Sequence, residues 1–238
     1  MIKTLILIFL VISFSSLHGQ PLSLYGEVTY SSFNMERLKD FQSEQVKNSG
    51  LPLVKQESFP NYWGYGAKFS WDFDSKSTVG ICYSYTSTGS RFDYKDYSGK
   101  ARLDYLIKSS SIGGFYQSIL YEKKSGRIFC NIRALAIFSK LDIASSIQIG
   151  TETQSDQLET KSINLGIRPG IGYQYRLKRV TFELGIGYEL QFYGKLHVPG
   201  DKKRYLVNSK NEEVTAQWDG LRIHFGCGFR LFKSVMAE

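Results

Sequence analysis

Ten ionisable residues stand on the polar side of segments whose other side is apolar: Glu27, Lys68, Asp72, Arg133, Arg168, Glu183, Glu189, Arg222, His224 and Arg230. Both signs of charge are present. Charges taken out of water need counter-charges and hydrogen bonds, so these residues predict an ion-pair network in an enclosed interior. Arg168, Glu183, Glu189, Arg222 and Arg230 fall on the last segments of the chain and are expected on neighbouring walls. The role expected of the network is structural: it holds a polar interior closed. A gate or conduction path is the alternative.

Catalytic chemistry finds less support. Beyond the first twenty residues the chain has two histidines, His197 and His224. A Ser–His pair in a recognisable arrangement would suggest acyl transfer, but neither histidine has a Ser or Asp at such a spacing. Two histidines and three scattered cysteines give no zinc pattern. The Gly-x-Gly patterns at 170–172, 185–187 and 226–228 lie inside alternating segments, where glycine clears space. No catalytic residue, no metal site and no cofactor is expected. The stretch Ser90–Gly99 reads as a loop. Its Arg91, Asp93, Asp96 and Tyr97 could touch a cation or glycan, with an ordered turn at a membrane surface as the plainer reading. Lys202, Lys203 and Arg204 form a basic run that could meet phosphates and is by default solvated.

The elements that carry these residues alternate with period two. In Leu221–Phe232, odd positions are apolar and even positions are Arg222, His224, Gly226, Gly228 and Arg230. Val180–Phe192, Ile163–Tyr175 and Trp63–Phe73 follow the same rule. Leu22–Phe33, Val79–Tyr85, Arg102–Tyr121 and Arg127–Gln148 complete a set of eight expected strands. No segment after the first twenty residues shows convincing helical periodicity. Gly113-Gly114 suggests a bulge. Pro169 lacks an N–H and predicts a gap in the ladder.

Three connections are short, at 74–77, 122–126 and 176–179. Four are longer, at about 35–60, 94–101, 149–161 and 196–217. Short and long alternate strictly, so an up-and-down barrel has its tight turns at one end and its long loops at the other. About 9–11 tilted residues cross a bilayer, so residues near 102–111 and 138–148 should project as a two-stranded ribbon.

The composition agrees. The chain has 238 residues, 42% hydrophobic and 15% aromatic, with 22 glycines. No internal run supplies the apolar length of a spanning helix. Residues 1–20 read as a signal peptide: Lys3, an apolar run to Phe14, then a small polar end. The expected division is 1–20 signal and 21–238 barrel domain. Removing the signal takes Lys3 and no acid from 30 basic and 22 acidic residues, which leaves +7. An exported basic protein can meet outer-membrane lipid and lipopolysaccharide phosphate; export removes it from nucleic acid. Cys82, Cys130 and Cys227 read as small wall residues.

Alternation alone fits a membrane barrel or a soluble one, with opposite faces buried. The membrane is favoured by the sparse charges of the polar face and by aromatics near strand ends. Trp71, Phe73, Tyr175, Phe182 and Phe229 fall near the short-turn rim, and Trp63, Tyr65 and Phe192 near the other. The fold class expected is therefore all-β, a single up-and-down antiparallel transmembrane β-barrel of about eight strands.

The layout resembles the small outer-membrane β-barrel families of Bacteroidota, PorT-like and OmpA-barrel-like. The resemblance rests on His18-Gly-Gln20, on the opening strand Leu24-Tyr-Gly-Glu-Val-Thr-Tyr30, on the Gly-aromatic strands and on the ending Phe229-Arg-Leu-Phe232. It covers nearly the whole chain after residue 20 and is one of style, with no diagnostic motif. It implies location in the outer membrane, assembly by the outer-membrane insertion machinery and, for some members, a place beside a secretion machine. It transfers no substrate and no catalytic residue. Three functional readings follow. One is a structural barrel whose loops bind a protein partner in the envelope or a surface glycan. The others are a lipid-modifying enzyme and a narrow channel.

Overall fold

The computed structural model describes residues 22–50, 54–97, 99–192 and 194–231. The expected signal, residues 1–20, and the aromatic Phe232 lie outside the described residues. Alternating apolar and polar side chains suit a pleated surface that is buried on one face only, and strands dominate. They are β1 (Leu22–Ser31), β2 (Val54–Ser58), β3 (Tyr62–Asp72), β4 (Ser77–Lys95), β5 (Gly99–Lys123), β6 (Gly126–Ile149), β7 (Glu152–Leu177), β8 (Val180–Phe192), β9 (His197–Val198), β10 (Asp201–Tyr205) and β11 (Gly220–Arg230); one helix, α1, spans Glu36–Asn48.

Eight strands close a ring, each antiparallel to its neighbours, in the order β1, β3, β4, β5, β6, β7, β8 and β11, with β11 pairing back onto β1. Apart from the short inserted strands, ring order follows chain order, which makes an up-and-down barrel. The ring leaves no open edge in the wall. Its interior holds Glu27, Lys68, Arg133, Glu183 and Arg222, all buried. Its exterior exposes Leu24, Trp63, Ile132, Ile171, Leu184 and Phe225. The apolar face is thus outside and the charged face inside, the reverse of a water-soluble barrel. Monomeric soluble proteins rarely expose a contiguous apolar surface beyond a few hundred Å², and this band encircles the ring. The face pattern is that of a bilayer-spanning wall.

The two ends differ. At the turn end, β5 and β6 are joined at Lys124-Ser125 and β7 and β8 at Lys178-Arg179, with Lys124 and Lys178 at positive φ of 53° and 52°. Asp74 accepts the N–H groups of Lys76 and Ser77 at 2.7 Å each and ties the β3–β4 turn. At the far end, β4 to β7 do not stop with the ring. Pairing of β3 with β4 ends at Tyr65–Tyr85 and pairing of β8 with β7 ends at Phe192–Leu165. The four strands β4–β7 continue together to Lys95–Lys100 and Ile149–Glu152. They form an apron, lengthened on one edge by β2 and on the other by β9 and β10.

This apron corrects several expectations. The projection has four long strands where a two-stranded ribbon was expected. Two of the expected long loops, 94–101 and 149–161, are largely strand: β4 runs to Lys95 and β5 starts at Gly99, and β6 runs to Ile149 and β7 starts at Glu152. The stretch Ser90–Gly99 is mostly strand. The polar sequence Glu152–Lys161 pairs with β6 throughout; outside a bilayer both faces of a strand can be polar, so alternation disappears without loss of pairing. Gly113 and Gly114 pair regularly, and the irregularity falls between Ile119 and Tyr121. At Pro169 the β7–β8 ladder does break, skipping from Ile167–Leu190 to Gly170–Gly187 without changing register.

The missed helix fills the mouth. Met35, Leu38 and Phe41 pack with Phe92, Tyr105, Ile107, Ile137 and Leu141 of the apron, and with Leu196, Val214, Ala216 and Trp218 of the β8–β11 connection. These residues form a hydrophobic core above the polar lumen. Met35 precedes the helix at φ 49° and supplies no side-chain cap. Instead Gln217, 180 positions away, accepts the Arg37 N–H on its side-chain oxygen at 2.9 Å, so a distant side chain satisfies a donor that a local cap would normally take.

Candidate functional site

The lumen is built in two storeys. Register sets them. In the storey nearer the turns, Glu27 on β1, Lys68 on β3, Arg133 on β6, Glu183 on β8 and His224 on β11 converge. Lys68 Nζ donates to both oxygens of Glu183 at 2.7 Å and lies 3.5 Å from Glu27. Arg133 donates to the two oxygens of Glu27 at 2.9 and 3.1 Å. Gln174 donates to Glu183 at 2.8 Å, and His224 Nε2 lies 3.2 Å from it. The Tyr25 ring centroid is 4.4 Å from Lys68 Nζ, within range of a cation–π contact. Gly185 sits opposite His224 in the ladder, and a Cβ there would lie 2.3 Å from the imidazole. The glycine therefore makes room for the ring.

The second storey lies under the plug. Arg168 pairs closely with Glu189 across the ladder gap at Pro169. Glu189 also accepts from Gln191 at 2.7 Å and lies 3.5 Å from Arg222. Arg222 donates to the Ser32 carbonyl at 2.5 Å and to the carbonyl of Trp218. Its guanidinium carbon lies 5.3 Å from the Phe33 ring. Trp218 in turn donates its indole N–H to Ser139 at 2.9 Å. The charged floor and the hydrophobic plug are one hydrogen-bonded assembly. A polar cavity of about 20 Å³, bordered by Ser84, Ser111, Arg168 and Glu189, lies between them; that is room for about one water.

Two residues expected on the network stand apart from it. Arg230 is half-buried at the turn end, where its N–H bonds the Arg179 carbonyl at 2.8 Å. Asp72 is also near that rim, accepting from Thr78 at 2.8 Å with Arg176 at 3.7 Å. Glu183 does not join Arg168 and Glu189: it stands six positions before Glu189 along β8, which puts it in the lower storey. The partners the sequence did not single out are Gln174, Gln191 and Trp218. They are neutral, and charge counting passes over them.

Glu27, Glu183 and His224 each offer a ligand atom within 4.8 Å of the others. The Lys68 ammonium stands among them, bonded to Glu183 and near Glu27. It supplies the positive charge that a metal ion would bring, so the donor set is already matched.

The eight expected interfacial aromatics all project outward. Trp63, Tyr65, Phe73, Tyr175, Phe182, Phe192 and Phe229 are exposed and Trp71 is half-buried. Tyr30 and Trp63 stack obliquely at 5.1 Å, as do Tyr65 and Tyr85 at 5.2 Å. Of the four residues read as a loop contact, Arg91 and Asp93 lie within β4, and Arg91 bonds Asp104 at 2.7 Å. Asp96 accepts the Gly99 N–H at 2.9 Å and the Tyr94 hydroxyl at 2.9 Å, tying the turn. Tyr97 is fully exposed. His197 pairs with Lys161 at the apron edge, whereas His224 lies in the lumen, so the two histidines share no site.

No protein-family model matches the chain, and no curated protein is similar to it in sequence. Among solved structures, it is similar to the attachment invasion locus protein Ail of Yersinia pestis, with a TM-score of 0.37 and 14% identity over 89% of this chain and 97% of that one. Neisserial surface protein A gives 0.35 and 11% over 88% and 97%. LpxR from Salmonella typhimurium gives 0.27 and 9% over 87% and 99%. The barrel assignment rests on the closed ring of eight antiparallel strands and its outward apolar face.

Proposed function

We propose that this chain is an outer-membrane barrel with a closed lumen that presents its apron at the cell surface as a binding platform. The observation that carries this reading is the joint extension of β4–β7 beyond the ring, braced from within by α1 and the 194–219 connection. Short turns face the periplasm and long extensions face outward in barrels of this kind, which puts the apron outside the cell. Its tip exposes Ile147, Ile149, Leu158 and Tyr97. Apolar groups held on a rigid outer sheet suit a protein partner of the envelope or the apolar face of a surface glycan. A place beside a secretion machine, as the Bacteroidota resemblance implies, belongs to the same reading.

The two-storey ion-pair floor speaks for a structural lumen over a channel. His224 lies 3.2 Å from Glu183, a carboxylate that Lys68 and Gln174 also hold, and this speaks for a place in the structural network over the base of a lipid-modifying enzyme. A photo-crosslinking residue placed at Ile149 or Leu158 in living cells tests the platform. A discrete adduct, absent when the probe replaces Lys124 at the other end, supports it. No adduct from the tip, together with a change in lipid A mass on deletion of the protein, would replace it with the enzyme reading.

A further inference from the structure

The outer face of the apron changes character at one level. The register places Tyr85, Ser110, Phe138 and Ile163 side by side across β4–β7. Phe138 and Ile163 are exposed there, and the rows nearer the turns are apolar. Two residues further out, the next outward row reads Ser87, Lys108, Lys140 and Lys161. Three lysines thus face one another directly on adjacent strands. Both flanking positions of each are buried on the opposite face, so all three project outward, with side chains 41%, 41% and 52% exposed.

Like charges directly opposed across strands are destabilising without counter-charge. On the outer side that counter-charge is present. Asp142 and Glu159 occupy the following row, with Lys140 at 2.6 Å from Glu159, Lys161 at 3.0 Å from Glu159, and Lys140 at 3.3 Å from Asp142. Two carboxylates serve three ammonium groups. On the membrane side the neighbouring row holds only Tyr85, Ser110, Phe138 and Ile163, and no acid. The side without protein counter-charge is therefore the one that meets the bilayer surface. The row is also local: the outward positions of β8, β11, β1 and β3 carry no charged residue at all among the described residues.

We propose that Lys108, Lys140 and Lys161 form a docking site for the phosphate groups of an outer-leaflet glycolipid such as lipid A. The acyl chains would lie along Phe138 and Ile163, and the phosphates would stand at the level where the apolar wall ends. This rests on the bilayer-spanning reading of the wall and goes beyond the platform reading, since it uses the opposite face of the apron. Acidic groups above and phosphates below would then enclose the lysine row.

The experiment uses the folded protein in phosphatidylcholine vesicles and in vesicles containing bisphosphorylated lipid A. Flotation reads membrane insertion, and native mass spectrometry of the extracted protein reads bound lipid A. The wild type is expected to retain lipid A and to lose at least tenfold in retention when the lipid is enzymatically dephosphorylated. Lys108→Gln, Lys140→Gln and Lys161→Gln together should float normally and show the same loss. The corresponding arginine triple variant should retain the lipid. Equal retention of lipid A by the glutamine variant overturns the site, as does loss caused instead by Lys203→Gln with Arg204→Gln. Displacement of lipid A by millimolar inorganic phosphate would also overturn it, by showing a free-anion site. A wild-type protein that fails to float would overturn the bilayer reading itself.

Discussion

Arg133 and Glu27 stand on opposite sides of the barrel, yet they exchange hydrogen bonds of 2.9 and 3.1 Å. β6 and β1 are separated by three strands in either direction around the ring. The pair is thus a strut across the full width of the lumen, in a storey where Glu27, Lys68, Arg133 and Glu183 are all at least 96% buried. A polar interior with such a strut is a packed core, as the small radius of eight strands allows.

Breaking the strut from one side should be costly. Glu27→Gln leaves Arg133 without its carboxylate and Lys68 with one acid in place of two. Removal of one partner of a buried ion pair costs about 3–5 kcal/mol. Glu27→Leu with Arg133→Met removes both charges and should cost much less, since Lys68 keeps Glu183. Urea unfolding in lipid vesicles, followed by the mobility difference between folded and unfolded barrels on cold gels, measures both. Equal losses for the single and the double variant would refute the strut.

The same packing predicts electrical silence. Planar bilayers holding the purified protein should show no openings of porin size. Stable openings of that size in the wild type would mean that the floor and the plug yield together.

Gln42 offers a stability test of the plug. It lies on α1 at 1% exposure, and neither side-chain amide atom has a hydrogen-bond partner among the described residues. A buried polar group left without a partner costs about 1–3 kcal/mol. Gln42→Leu, of similar size, is expected to stabilise the folded mouth by about that amount and to slow amide exchange in α1. Faster exchange would show that the amide is serving a partner.

The outer latch should respond to acid. Glu44 on α1 accepts the backbone N–H and the hydroxyl of Ser209, each at 2.8 Å. The backbone N–H first, and then the hydroxyl, hold its carboxyl below the ordinary value. A depressed carboxylate contributes its stabilisation above the ordinary carboxylate range and loses it as pH falls through the lowered folded value. Amide exchange in α1, corrected for intrinsic rates, should be flat from pH 8 to 6 and should accelerate in strong acid. Glu44→Gln should remove the contribution of this latch to that step. An unchanged step in the variant would assign the acid response to other groups.

Much of the ring was legible because bilayer and lumen impose opposite chemistry on successive residues. Leu221–Phe229 and Val180–Phe192 alternate without interruption, and both are ring strands. The same cause explains the failures. Beyond the bilayer, Thr153–Glu159 no longer needs an apolar face, and its period vanished although its pairing did not. α1 was hidden for a different reason. Leu38, Phe41 and Val46 have helical spacing, but the segment is short and charged, and its N-terminal cap comes from Gln217 on a distant connection. In the site, the paired charges could be read one by one, but their grouping into storeys depends on register. That register is the pairing of all the ring strands around the closed barrel, which no single segment reveals.

The most direct test of an outer-membrane platform is labelling of single cysteines in intact cells with a membrane-impermeant maleimide. The native cysteines are first replaced by serine or alanine. Tyr97→Cys at the apron tip should label in whole cells. Lys124→Cys, in the turn between β5 and β6, should label only after the outer membrane is permeabilised. Protection of the tip with labelling of the turn, or labelling of neither before permeabilisation, would contradict a surface-facing apron on a membrane-spanning barrel.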